Sequence, residues 1–259
     1  MKKFQWKKGD IRIIRGALDT FALRGTGTPG RKPAVIQAVN DYQTELQKIY
    51  SDWSDTLADD LADADPSEHD DIIKKALAAL LLLLRNAGRT VLPDAVELGL
   101  DGDPHNPDVL KLLSNAMEEN DGYLEDGLIP DIDAKLRQGL SGQDILEAIA
   151  AGSGAAAILG LLNQFLGRVE SYSGEMWDVY NRTVGDVADE HGNRIFWRLD
   201  HDYDGHHCDQ CLEFGDKVYS SYADLLEQSG GVTPANGTDC GQWDKCELIE
   251  LETGEEPPI

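Results

Sequence analysis

Apolar residues recur at helical spacing from Pro33 onward. Val35, Val39, Tyr42, Leu46, Ile49 and Trp53 fall three or four positions apart, and Leu57 and Leu61 extend the stripe to Asp65-Pro66-Ser67. A stripe of that period is the buried face of an amphipathic helix. Ser67 is placed to cap a second helix, with Asp70 three residues on as the partner in a weak capping box, and Gly88 reads as its C-cap. A loop rich in Gly, Asp and Pro follows from Gly99 to Pro107; Asp108 then opens a short helix through Met117, which breaks near Asn120-Asp121-Gly122. Ser141-Gly142-Gln143-Asp144 starts another helix, whose Gly152 and Gly154 permit a bend or a close helix contact. Leu159 to Arg182 continues helically, with Phe165, Tyr172, Met176, Val179 and Tyr180 as core contacts. Strand patterns enter only late, at Arg194 to Leu199 and at Lys217-Val218-Tyr219. The expected fold is therefore mainly α: an N-terminal arm with a flexible Gly/Pro hinge over 1–32, a helical body over 33–193, and a small mixed α/β module over 194–259.

Two apolar runs approach membrane character. Ile72 to Leu84 includes an unbroken Leu80 to Leu84 but is interrupted by Lys74 and Lys75; Ala148 to Leu162 is broken only by Ser153 and closed by Glu147, Asn163 and Gln164. A spanning helix needs about 20 apolar residues, so both are read as buried helices and no membrane contact is expected. Lys7, Lys8 and Asp10 interrupt the apolar residues after Lys3, so no secretory signal is visible and a reducing cytoplasm is the default compartment.

Charge sharpens this division. With 41% apolar and 27% charged residues the chain has a globular composition, yet it carries 48 acidic and 23 basic side chains, a net charge of −25. Residues 1–32 hold nine basic side chains against Asp10 and Asp19, a net +7, so the remainder stands at −32. An acidic body disfavours general nucleic-acid binding, which needs clustered Lys and Arg. The basic arm is either a solvated tail or strap on the acidic body, or a contact for an anionic partner, DNA or an acidic protein surface. Gly25 and Gly30 brush against a phosphate-loop spacing, but Arg31 and Lys32 stand where that motif needs Lys and then Ser or Thr.

All four cysteines lie in the last fifth of the chain: Cys208 and Cys211 as C-x2-C, then 28 residues, then Cys240 and Cys246 as C-x5-C. A C-x2-C turn aims two thiolates at one ion while backbone N–H groups stabilise their charge, and a second pair closes a tetrahedral site. Soft ligands in a reducing compartment favour zinc over calcium or magnesium. The segment 194–251, fewer than sixty residues with few large apolar side chains, gains folding free energy from such a staple. The first reading is a zinc-knuckle-like module with one structural Zn²⁺ held by Cys208, Cys211, Cys240 and Cys246; disulfides formed on oxidation and free thiols are the alternatives. His206 is the substitute ligand favoured over His207, because His207 adjoins Cys208 and adjacent ligands rarely converge on one ion. Asp200-His201-Asp202-Tyr203-Asp204-Gly205 opens like a calcium loop, but its twelfth position is Cys211 rather than a bidentate Glu.

Enzyme signatures are poor: no H-E-x-x-H, no G-x-S-x-G, and neither H-x-E nor P-C-x-x-C of the zinc deaminases occurs. The catalytic alternative is a metal-dependent nuclease or other enzyme acting on DNA, resting on Asp200, His201 and Asp202 beside the cysteines.

The layout of Trp197-Arg198, Cys208 to Cys211, Gly215 to Tyr219 and Cys240 to Leu248 resembles the C-terminal part of phage minor head proteins of the Mu F-like, head-morphogenesis type. In that family an Arg-containing strand, a C-x2-C pair, a short "G-k-v-y" strand, a variable loop and a terminal cysteine cluster before an apolar strand follow one another. The family usually ends in a compact N-C-R-C; this chain has Asp244-Lys245-Cys246-Glu247, with a single late cysteine. The resemblance implies a non-enzymatic virion component assembled in the host cytoplasm. Such a minor head protein would be present in several copies per particle, in contact with portal or major capsid protein, with DNA a candidate partner of the basic arm.

Overall fold

The computed structural model describes residues 31–100, 109–199, 207–240 and 246–258. The basic arm, the loop at 101–108 and the calcium-like segment at 200–206 lie outside them. The described chain is mostly helical, with one small sheet near the C-terminus, as the periodicity predicts.

Helix α1 (Arg31–Asp63) buries Val35, Tyr42, Leu46, Trp53, Leu57 and Leu61, but Val39 and Ile49 of the expected stripe are only half-buried. Tyr50 takes the core position instead, because four residues after Leu46 keeps the centre of the buried face. Its hydroxyl donates to the Leu162 carbonyl at 2.7 Å, and Trp53 Nε1 donates to Ala76 O at 2.8 Å, so both rings are buried without orphaning their polar ends. Burial pushes the Tyr50 phenol well above its usual range.

The turn after α1 is held by Asp65, whose carboxylate accepts from the Ser67 N–H at 3.1 Å and hydroxyl at 2.9 Å. Ser67 is thus the partner in an Asx turn rather than the cap, and α2 begins at His69. Asp70 pairs with Lys74 and Arg137. Nor does α2 (His69–Leu100) stop at Gly88. A Cβ there would lie 2.7 Å from Asn120 Nδ2, so the glycine is a point of close helix approach, and Leu92, Ala95, Val96 and Leu100 carry the buried stripe onward past Pro93. Likewise α3 (Val109–Tyr123) runs through the expected break at Asn120-Asp121-Gly122. Asn120 is buried, and the Asp121 carboxylate receives Arg85 and Arg89 of α2 at 3.1 Å each. These polar residues make a helix–helix contact, not a loop.

By length and composition α2 is apolar enough to cross a membrane. Leu77, Leu80 and Leu84 are buried, but Leu82 and Leu83 are 58% and 44% exposed, so the expected buried helix is buried on one side only.

A π turn (Leu124–Leu128) leads into α4 (Ile129–Leu140), followed by α5 (Gln143–Ala150) and α6 (Gly154–Leu162). Gly152 turns the chain at φ +78°, and a Cβ on Gly154 would meet Ile149 Cγ1 at 2.6 Å, which bears out the bend and the close contact expected of this pair. The run from Leu159 is broken by a 3₁₀ turn (Asn163–Phe165) and again after α7 (Leu166–Ser171), before α8 (Gly174–His191). Val39–Val91 with Ser114–Glu175 form one compact unit; the other takes in Leu92–Leu113, Met176–Ile259 and the described residues up to Ala38. This second unit takes in α8 from Met176 onward.

In that unit β1 (Arg194–Arg198), α9 (Asp209–Phe214), β2 (Lys217–Tyr219), α10 (Tyr222–Ser229) and β3 (Glu247–Leu251) follow in order. The sheet is antiparallel in the order β2-β1-β3, with Phe196 opposite both Val218 and Ile249. Ile195, Phe196 and Trp197 of the central strand are buried, and Trp197 stacks on Phe214 of α9. Helix α8 packs here through specific contacts. Its Asp189 carboxylate accepts from the Tyr222 and Ala223 N–H groups at 2.6 and 3.0 Å, satisfying donors that the first turn of α10 leaves open. Gly185 sits under the Tyr222 ring, where a Cβ would come within 2.4 Å of Cδ2. Gly185→Ala should therefore lower stability by about 2 kcal/mol despite alanine's better helix propensity. Urea unfolding checks this, and an unchanged or raised midpoint would show that the ring moves aside freely.

Candidate metal centre

The C-x2-C pair sits at the entrance to α9. Cys208 is extended (φ −68°, ψ 166°) and precedes the first turn, and Cys211 follows one turn later, fully buried. The helix is stopped at Gly215, whose N–H donates to Cys211 O at 2.8 Å; a Cβ at Gly215 would lie 2.5 Å from that oxygen and 2.3 Å from Leu199 Cδ2. Asp216, at φ 53°, then ties α9 back to β1: its N–H donates to Trp197 O at 2.7 Å and its Oδ1 accepts from Leu199 N–H at 3.1 Å. A compact loop after α10 returns the chain to Cys240. In it Gly230 is left-handed (φ 68°), and Thr233 and Asn236 exchange N–H···O bonds of 2.9 and 3.0 Å. Cys246 lies immediately before β3 and is buried.

These segments place the four cysteines predicted as ligands in two overlapping groups of donors. The donor atoms of Cys208, Cys211 and Cys240 lie within 4.8 Å of one another, and so do those of His207, Cys211 and Cys246. Cys211 belongs to both groups. The Cys211 and Cys240 sulfurs are 4.0 Å apart, the Cys208 N–H donates to the Cys240 sulfur at 3.3 Å, and His207 Nδ1 stands 3.8 Å from the Cys246 sulfur. The four cysteines form no disulfide. Burial resists ionisation of Cys208, but the backbone N–H groups of Cys211 and Cys240 and their thiols together bring it below the ordinary thiol range.

His206, the substitute ligand expected from the sequence, falls outside the described residues; among the described residues His207 brings an imidazole beside the cysteines. The objection to adjacent ligands loses its force because the two neighbours serve different sides: Cys208 meets Cys240 while His207 meets Cys246. Asp200, His201 and Asp202 also lie outside the described residues.

Three supporting residues carry no signal in the sequence. Trp177 Nε1 donates to Cys246 O at 2.6 Å, and Asn181 one turn on accepts from Leu248 N–H at 2.8 Å while its amide donates to Trp177 O at 3.0 Å. Glu247, nearly fully buried, pairs with Arg198 of β1 opposite it in register. Their spacing matches no motif; a Trp and an Asn four apart on a helix read as ordinary core residues.

No family model matches the chain, and no curated protein or solved structure matches it. The chemistry therefore rests on the donor set. Three thiols, or two thiols with an imidazole, can hold a soft or borderline divalent ion, with Cys211 and Cys246 buried and Cys208, Cys240 and His207 half-buried.

The Arg198–Glu247 pair supports the strand that follows Cys246. Arg198→Met leaves the Glu247 carboxylate buried without its cation and should cost about 3 kcal/mol, whereas Arg198→Met with Glu247→Met should recover most of that loss. Thermal unfolding of the two variants and the wild type checks it; equal stability of single and double variants would mean that the pair contributes no coupling.

Proposed function

We propose that Cys208, Cys211, Cys240 and Cys246 hold one structural zinc ion per chain, and that the protein is a structural component of a phage head, associated with the portal or capsid, rather than an enzyme. The observation that supports the first half is the pair of donor groups, Cys208–Cys211–Cys240 and His207–Cys211–Cys246, that share Cys211 and draw on two segments 28 residues apart in sequence. A tetrahedral Zn–S distance of about 2.3 Å implies sulfurs about 3.8 Å apart, close to the 4.0 Å between Cys211 and Cys240. Cys246 is grouped with Cys211 and His207 rather than with Cys208 and Cys240, so a single ion on all four thiols requires Cys246 to approach that pair, with Cys211 as the shared ligand. Such an ion would fix α9, the loop end at Cys240 and the start of β3 to one point. With four thiolates it keeps no position for water or substrate, so its contribution is to folding.

The head-protein half is supported by the order of elements: strand β1 with its arginine, the C-x2-C turn, the short strand β2, a loop, and late cysteines leading into β3. On this reading the +7 arm is the part suited to an anionic partner, a portal surface or DNA, while the acidic body avoids adsorbing to packaged genome.

Protein purified under reducing conditions should contain about one zinc per chain, and Cys208→Ser or Cys211→Ser should lose it and loosen the C-terminal unit. Elemental analysis and limited proteolysis are the measurements; metal-free, reduced protein that is nonetheless fully protected would refute the zinc reading. Mass spectrometry of purified virions should find the polypeptide in the particle and still with the head after DNA release, with assembly unchanged by Asp200→Ala or Asp202→Ala. Its absence from particles, or divalent-ion-dependent DNA nicking lost in Asp202→Ala, would favour the nuclease instead.

A further inference from the structure

We infer that Trp177 and Asn181 of α8 are positioning residues for the metal centre, setting its affinity through the backbone of β3. The inference rests on the cysteine site proposed above.

Cys246 is the ligand supplied without a turn of its own. Cys208 and Cys211 are fixed to one another by the first turn of α9, and Cys208 and Cys240 by the N–H···S bond between them. Cys246 instead sits at the start of a strand, and strand position is set by what bonds its two edges. On one edge β3 pairs with β1 from Glu247 to Leu251. On the other, α8 supplies the partners: the Trp177 indole N–H on Cys246 O, and the Asn181 side-chain oxygen on Leu248 N–H. Asn181 is itself oriented by donating to the Trp177 carbonyl, so the two side chains act as one bracket. Trp177, Asn181, Cys246 and Leu248 are all buried, which makes each of these bonds costly to leave unmade.

The bracket fixes the peptide plane at Cys246 and hence the direction of its sulfur. Losing groups that orient a metal ligand commonly reduces affinity 10- to 100-fold. Coupling of this kind is reciprocal: if the bracket holds Cys246 for the ion, the ion holds β3 on the bracket.

The test uses the reduced, metal-free full-length protein titrated with Co²⁺, read by the thiolate-to-cobalt charge-transfer absorption. Trp177→Phe keeps a buried ring but loses the N–H; Trp53→Phe is the matched control, removing the bond to Ala76 O from the other compact unit. Trp177→Phe should weaken cobalt binding by about tenfold or more, with Trp53→Phe like wild type. A Trp177→Phe protein that binds cobalt as tightly as wild type overturns the inference while leaving the metal site standing. Should Trp177→Phe fail to fold, hydrogen exchange on the wild type decides: stripping the metal should speed exchange of the Leu248 amide, and unchanged exchange refutes the coupling. A wild type that takes up no cobalt and shows no charge-transfer band removes the site and the inference together.

Discussion

A β-strand has two rows of backbone donors and acceptors, and a buried strand must satisfy both. Strand β3 pairs with β1 on one side, and its other side is completed by side chains of α8. Most of the C-terminal unit follows from that constraint. It sets α8 along the sheet, bringing Gly185 under the Tyr222 ring and Asp189 to the amino end of α10. It also covers a sheet edge that would otherwise be a template for pairing with another chain. At the far end of β3, Glu250 Oε1 receives the Asn193 amide and lies 2.7 Å from His191 Nδ1, so the same helix and the turn after it secure both ends of the strand.

The electrostatics of the cysteine site are unusual for an acidic segment. The last sixty residues carry 15 acidic and two basic side chains, so cations that commonly stabilise thiolates are scarce nearby. The backbone takes that role. N–H groups of Cys211 and Cys240 face the Cys208 sulfur, and the Cys208 N–H faces the Cys240 sulfur. Arg198, which pairs with the buried Glu247 carboxylate, is used on the sheet. A bound divalent cation would offset thiolate charge in a place where side chains cannot, which is consistent with a site whose ligands are thiols and not carboxylates.

Helix type and the late strands were legible because they depend on period, a local property. What failed were boundaries read from single residues. Gly88 and Asn120-Asp121-Gly122 look like punctuation when taken alone, yet each meets a partner distant in sequence: Gly88 meets Asn120, and Asp121 meets Arg85 and Arg89. A glycine chosen for close packing and a glycine chosen for a turn are the same letter. The cysteine cluster was legible for the opposite reason, since C-x2-C couples chemistry to a local turn. The residues that steady it were not, because Trp177 lies 69 positions before Cys246 and only the fold joins them.

The smallness of the sheet explains why so many contacts meet at one place. Strand β2 has three residues and β3 five, too little to hold a three-stranded sheet by pairing and burial alone. Consecutive residues of β3 and its approach are therefore tied to different elements: the Cys246 sulfur beside Cys211 and its carbonyl to Trp177, Glu247 to Arg198, Leu248 to Asn181. Each tie fixes a different direction. The sulfur fixes the strand toward α9, the ion pair fixes its register on β1, and the two bonds to α8 fix its outer edge. Register is the property most at risk in a short strand, because a slip by one residue turns every side chain to the opposite face. In such a slip Cys246 would leave the other thiols and Glu247 would lose Arg198 at the same time. The cysteine cluster and the sheet therefore specify one another: the register that pairs Glu247 with Arg198 is also the one that sets Cys246 beside Cys211.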